Sequence, residues 1–172
     1  EYLHEAHGDI KWAIAGRSQN KLDAVKQRLD APDLPTLVAD SDSTEDMTRL
    51  AAQSRVIIST VGPYARYGTT LLEACAAEGT HYCDLTGEPQ WMASVFERVS
   101  DAAEESGARL IHCCGFYSIP SDLGVFVAQK TMMEKHGLYA SSVSGRMGQS
   151  KGAVSGGTVP IMPPASEYRC LD

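Results

Sequence analysis

The stretch Arg55-Val56-Ile57-Ile58-Ser59-Thr60-Val61-Gly62-Pro63-Tyr64 decides how this chain is built. Residues 55–60 centre on the apolar Val56-Ile57-Ile58 and are rich in β-branched side chains, too short a run for a helix and consistent with a strand buried on both faces. The run stops at a Gly-Pro turn that carries an aromatic residue. Working outward, similar short runs lie at residues 10–16 and 36–39 on one side and at 80–85 and 109–114 on the other. Helical patterns fill every interval. Residues 18–31 place Leu22, Val25 and Leu29 on one face behind Ser18, a candidate N-cap. Residues 43–53 open with Ser-Thr-Glu-Asp, an acidic first turn that suits the helix dipole. Residues 67–78 end at Gly79, and Pro89–Ser106 has proline in its first turn with Gly107 just past its end. Such strict alternation predicts an α/β architecture with right-handed crossovers and a doubly wound parallel sheet covered on both faces.

Beyond Cys114 the pattern changes. Residues 115–122 read as a turn-rich loop, 121–135 as a helix and 139–147 as a further strand. Ser155-Gly156-Gly157-Thr158 reads as a helix start, and 160–172, with three prolines and no apolar period, as an irregular tail. The expected organisation is therefore 1–120, 121–159 and a tail from 160 to 172.

The chain has 172 residues, with 15 basic and 22 acidic side chains and a formal net charge of -7. That balance leaves no basic face for tracking a phosphate backbone, which argues against nucleic acid as a partner. Apolar residues at 43% and charged residues at 22% exclude a disordered tail and a membrane bundle alike. The five cysteines form no C-x-x-C pair, which fits a reducing, intracellular compartment. Cys113 and Cys114 follow Leu110 and Ile111 and are expected to be buried strand thiols. His112 is expected to be a core or strand histidine rather than a general acid. His81 and Cys83 lack partners at zinc spacing, so no metal site is predicted.

Ligands of doubly wound sheets sit outside the carboxyl ends of the strands. The tip after residues 10–16 is Gly16-Arg17-Ser18, with no acidic residue to hold ribose hydroxyls. Arg17 can pair with a phosphate, and Ser18 adds a hydroxyl at a helix N-terminus, a combination that favours NADP over NAD. Asp40 ends the next strand, where it could accept from an adenine amino group. Thr60-Val61-Gly62-Pro63-Tyr64 ends the third and could run beside the nicotinamide ribose. These nine residues form the expected cofactor contact. Tyr64, Asp84, Glu88 and Asp122 lie at or just after strand ends and are candidate proton donors, although each also suits a turn or cap.

Ala-Gly-Arg-Ser at 15–18, Thr-Val-Gly-Pro-Tyr at 60–64, Tyr-Cys-Asp-Leu-Thr-Gly-Glu at 82–88, Gly-Phe-Tyr-Ser-Ile-Pro-Ser-Asp at 115–122 and Ser-Gly-Gly-Thr at 155–158 carry a resemblance. In that order they resemble saccharopine dehydrogenase-like oxidoreductases, a group that includes the trans-acting enoyl reductases. The resemblance implies a Rossmann-like NADP-binding domain followed by the start of a second α/β domain for substrate binding or dimerisation. It implies a reductase in lipid or amino-acid metabolism, with a small-molecule or lipid-like substrate, and a cytoplasmic, lipid-droplet or peripheral membrane location. A homodimer is also implied.

Two departures bear on function. Tyr117 stands where the group has Asp. Residues 1–20 contain no Gly-x-x-Gly-x-x-Gly loop, which in the group follows a first strand and cradles the pyrophosphate. The chain therefore reads as a fragment from which tight, saturable NADPH binding is not expected. In the 3-2-1-4-5-6 strand order the first strand is central, so its absence predicts two half-sheets with no shared neighbour. The rival expectations are a non-catalytic lipid-surface or interaction protein that keeps the fold, and an inactive product.

Overall fold

Each expected strand between residues 10 and 114 forms, but shorter than its apolar run. The computed structural model describes residues 2–6 and 10–146. In chain order these form α1 (Tyr2–Ala6), β1 (Ile14–Gly16), α2 (Gln19–Arg28), β2 (Thr36–Val38), α3 (Thr44–Ala52), β3 (Val56–Ser59), α4 (Tyr64–Tyr67), α5 (Thr69–Glu78), β4 (His81–Asp84), α6 (Pro89–Ser106), β5 (Leu110–Ile111) and α7 (Ile119–His136). The ladders set the strand lengths: β1 pairs only with β2, from Ile14 opposite Thr36 to Gly16 opposite Val38.

All strand pairs are parallel, and they fall into two separate sheets, β1-β2 and β3-β4-β5. No ladder joins β1 to β3, the division expected of a 3-2-1-4-5-6 sheet without its central strand. Side-chain packing joins the halves instead. α3 packs on α5, which lies against β4 and β5. Thr80 Oγ1 then ties the end of α3 to the start of β4, donating to the carbonyls of Ala51 (2.8 Å) and Ser54 (3.0 Å).

The core is built where α3, α5 and α6 meet one face of β3–β5. Met47, Ala51, Leu72, Cys75, Tyr82, Trp91, Val95 and Val99 are buried there. The spacing of Trp91, Val95 and Val99 gives α6 one buried stripe. The expected helix 67–78 divides at Gly68, the cap between α4 and α5, where a Cβ would lie 2.9 Å from both the Trp91 ring and the Tyr64 carbonyl oxygen, so only glycine fits. The opposite sheet face differs from expectation. Val56, Ile58 and Ile111 are exposed on it, so among the described residues the sheet is covered on one face only.

α7 forms slightly longer than expected, ends at Gly137 in the left-handed conformation (φ 69°) and buries none of its residues. The strand expected at 139–147 does not form over its described part, 139–146. The side-chain amide of Gln129 takes the place of a neighbouring strand: its Nε2 donates to the Ala140 carbonyl at 3.0 Å and its Oε1 accepts from the Ala140 amide at 2.8 Å. The expected helix start at 155–158 and the tail at 160–172 lie outside the described residues. Among the described residues no helix is long and apolar enough to cross a membrane.

Candidate cofactor cleft and strand-end cluster

A cavity of about 250 Å³ opens between the carboxyl ends of the two sheets, lined by Ala15, Gly16, Arg17, Ala39, Ser41, Met47, Leu50, Val61, Gly62, Tyr67 and Leu71. It brings together Gly16 and Arg17 from the tip of β1 with Val61 and Gly62 from the tip of β3. Met47, Leu50, Tyr67 and Leu71 make its apolar floor. Sequence reasoning missed this floor, although the helical spacing of Met47, Leu50 and Ala51 marks the inward face of α3. Arg17 is exposed and makes no ion pair with any described residue. Ser18 takes the N-cap position of α2, and its side chain makes no capping hydrogen bond. The Arg17 guanidinium is thus unengaged at the cavity rim, and beside it, at the α2 N-terminus, the Ser18 hydroxyl makes no capping bond, while the Lys21 amide already donates to the Ser18 carbonyl at 3.1 Å. This donor set fits a phosphate monoester, and the apolar floor fits a flat base.

Asp40 is exposed beside the rim and is occupied locally. Its Oδ1 accepts from the Asp42 amide at 3.1 Å, and its own amide donates to Asp46 Oδ2 at 3.0 Å. Thr60 is also exposed. Pro63 follows a cis peptide bond with Gly62 and serves as the N-cap residue of α4.

The candidate proton donors separate sharply. Tyr64 is buried, and its hydroxyl donates to the Ser59 carbonyl at 2.9 Å and accepts from the Leu85 amide at 3.4 Å. Burial raises its pKa, and the Asp84 and Glu88 charges push the same way, against the Leu85 amide. Glu88 is buried and caps α4 from a distance in sequence: its carboxylate accepts from the Tyr64 amide at 2.7 Å and the Ala65 amide at 2.9 Å. This places the negative charge at a helix N-terminus, where the dipole favours it. Asp122 lies exposed in the first turn of α7, with no described hydrogen bond from its carboxylate.

Asp84, at the end of β4, is 1% exposed and its carboxylate collects four partners. Oδ1 accepts from the amides of Thr86 (3.1 Å) and Cys113 (3.2 Å), while Oδ2 accepts from the Tyr82 hydroxyl (3.1 Å) and meets His112 Nδ1 at 2.7 Å. Burial is the main cause raising the Tyr82 phenol's pKa, reinforced by the Asp84 charge. Thr86, which sequence reasoning missed, is buried between the two acids; its hydroxyl accepts from the Glu88 amide at 3.2 Å.

His112 therefore departs from its expected place. It lies just past β5, half-buried, and joins the strand-end cluster instead of the core. Trp91 meets it edge-on with ring centroids 5.1 Å apart, and Tyr82 does so at 6.1 Å. Trp91 also stacks on Tyr64 at 5.5 Å, so one aromatic row crosses the ends of β3, β4 and β5. The following cysteines are likewise not buried strand thiols. β5 ends at Ile111, Cys113 is part-buried in the left-handed region (φ 60°), and Cys114 is exposed. The reason is the Asp84 carboxylate, which draws the Cys113 amide inward and turns the chain out of strand conformation.

Comparison with known proteins places the chain among relatives of the same fold. Residues 2–111 match the family described as the saccharopine dehydrogenase NADP binding domain. The chain is 41% identical over 164 residues to the Mycobacterium tuberculosis protein named "Putative trans-acting enoyl reductase Rv2449c", covering 94% of this chain and 39% of that protein. It is 42% identical over 127 residues to a Mycobacterium ulcerans protein named "Trans-acting enoyl reductase", covering 73% of this chain and 30% of the relative. The chain thus spans no more than about two fifths of these relatives' length. The apo saccharopine dehydrogenase (L-Glu forming) of Saccharomyces cerevisiae shares the fold, with a TM-score of 0.59 at 16% identity over 76% of this chain and 27% of that one. With the family match extending over more than half of its residues, the chain belongs to the saccharopine dehydrogenase NADP binding domain family.

Proposed function

We propose that this chain forms the cofactor half of an NADP-dependent reductase acting on an α,β-unsaturated acyl group, as the names of its relatives suggest for the substrate. The observation that carries the cofactor reading is the rim of the inter-sheet cavity, where Arg17 lies without an ion pair beside Gly16, Val61 and Gly62, with the uncapped Ser18 hydroxyl next to it in the chain. Arg17 and Ser18 would hold the 2′-phosphate, and the floor of Met47 and Leu50 the adenine. Gly62, which would give a Cβ only ordinary contact with the Tyr64 ring, would let the backbone approach the ribose. When bound, the cofactor supplies hydride; the chain's residues bind it, orient it and manage protons. Residues 1–120 would form this cofactor half, and the segment from 121 would open the substrate half.

No glycine-rich pyrophosphate loop is present among the described residues, so the test uses the half of the cofactor that the rim can hold. Adenosine 2′,5′-bisphosphate is titrated into the isotope-labelled chain and followed by amide NMR. The expected result is saturable shifts at Gly16, Arg17 and Ser18, absent with adenosine 5′-monophosphate and lost in Arg17→Gln. Equal responses to both nucleotides would refute the assignment of the 2′-phosphate.

A further inference from the structure

Resting on the reductase reading above, we propose that His112, oriented by Asp84, is the residue that delivers the proton to the substrate's α-carbon. The geometry specifies the tautomer. Asp84 accepts from Thr86, Cys113 and Tyr82, so its remaining contact, at 2.7 Å, draws the His112 proton onto Nδ1. Nε2 is left as the working nitrogen, with no hydrogen-bond partner among the described residues. Trp91 and Tyr82 clamp the ring edge-on, and its side chain keeps 21% exposure while Asp84 has none. A buried carboxylate, an oriented imidazole and an open Nε2 together form the arrangement a positioned acid–base group needs. Its place is also suitable. His112 follows β5 at the carboxyl end of the sheet, and Tyr64 and Trp91 link it to the Gly62 wall of the cavity.

The step balances. Hydride arriving at the β-carbon brings two electrons, and the former C=C pair comes to rest on the acyl group as an enolate. The Nε2–H bond of the imidazolium breaks, its electron pair stays on nitrogen, and the proton forms the new α C–H bond. Neutral His112 then takes a proton from water. Asp84 is a positioning residue in this scheme. The titratable groups that meet the ring are Asp84 and Tyr82 from β4; α6 brings Trp91 against it, and Met92 of the same helix meets the sulfur of the adjacent Cys113 at 3.5 Å.

The reverse half-step needs no hydride and can be read alone. Butyryl-pantetheine is incubated with the chain in deuterated water, and α-deuterium incorporation is followed by mass spectrometry. His112→Ala should slow exchange by about 100-fold or more. Free imidazole should restore it in proportion to its neutral form, a rescue that a purely structural histidine would not show. Asp84→Asn should slow exchange by about 10- to 100-fold, and Asp84→Glu, which keeps a carboxylate to orient the ring, should recover part of the rate. His136→Gln, on the exposed last turn of α7, should exchange like the wild type. Wild-type rates in His112→Ala, or no exchange by the wild type, overturn the proposal and leave the cofactor reading standing. Failure of the adenosine 2′,5′-bisphosphate titration overturns the cofactor reading instead.

Discussion

Removing the Glu88 carboxylate should cost this chain as much stability as a typical core truncation. Its two oxygens hold the Tyr64 amide at 2.7 Å and the Ala65 amide at 2.9 Å, the first two orphan donors of α4. The Tyr64 bond is buried and the Ala65 bond part-buried. A buried donor left unsatisfied costs about 1–3 kcal/mol, and a part-buried one, which water can reach, about 1 kcal/mol. Glu88→Ala is therefore expected to lose about 2–4 kcal/mol. At a urea slope near ~2 kcal/mol per molar, the unfolding midpoint falls by about 1.5 M. Glu88→Gln keeps one acceptor but turns an NH₂ group toward the other amide, so it should lose about half as much. Amide exchange at Tyr64 and Ala65 should accelerate in both variants before global unfolding does. A midpoint for Glu88→Ala within about 0.3 M of wild type would refute the capping argument, because the amides would then have found another partner at no cost.

Three further outcomes are expected. Burial pushes the Cys75 thiol from 9.0 up to about 12, so its contribution to stability is complete below pH 9.0 and is lost as pH rises toward 12. Urea midpoints of the wild type should begin to fall above pH 9.0, and those of Cys75→Ala should fall less steeply there, because Cys83, whose thiol burial also raises from 9.0, still contributes; identical alkaline profiles would contradict this. Cys113→Gly relieves a non-glycine residue at φ 60° and should raise stability by about 0.5–1 kcal/mol, read from the thermal midpoint. Gln129→Ala removes both hydrogen bonds to Ala140, so exchange at the Ala140 amide should lose its protection while the global midpoint moves little, because α7 buries none of its residues.

Local patterns were legible in the sequence wherever one residue type has one physical use. Pro89 and Gly107 bracket α6, Ser43 caps α3 by accepting from the Asp46 amide at 3.2 Å, and Gly79 ends α5 at φ 71°. The split sheet was legible too, because each apolar run between residues 10 and 114 already pairs within one half and none is left over to lie between β1 and β3. What escaped was set by contacts distant in sequence. His112 follows an apolar run that suggests a core position, and only the fold brings Asp84, 28 residues away, to its ring. Glu88 had the composition of a catalytic acid, yet 24 residues separate it from the amide it caps. The strand expected at 139–147 had the right composition but no neighbour, and a glutamine side chain met its backbone instead.

The separation of β1-β2 from β3-β4-β5 has a mechanical consequence. Backbone ladders fix strand spacing rigidly, whereas α3 and its Thr80 tie connect the halves through compliant side-chain contacts. Over these 172 residues the width of the inter-sheet cleft is therefore a soft coordinate, able to change without breaking a single ladder. Hydrogen exchange should register this as two units of unequal persistence. The three-residue β1–β2 ladder opens first, and any ligand that spans the cleft narrows the difference between them.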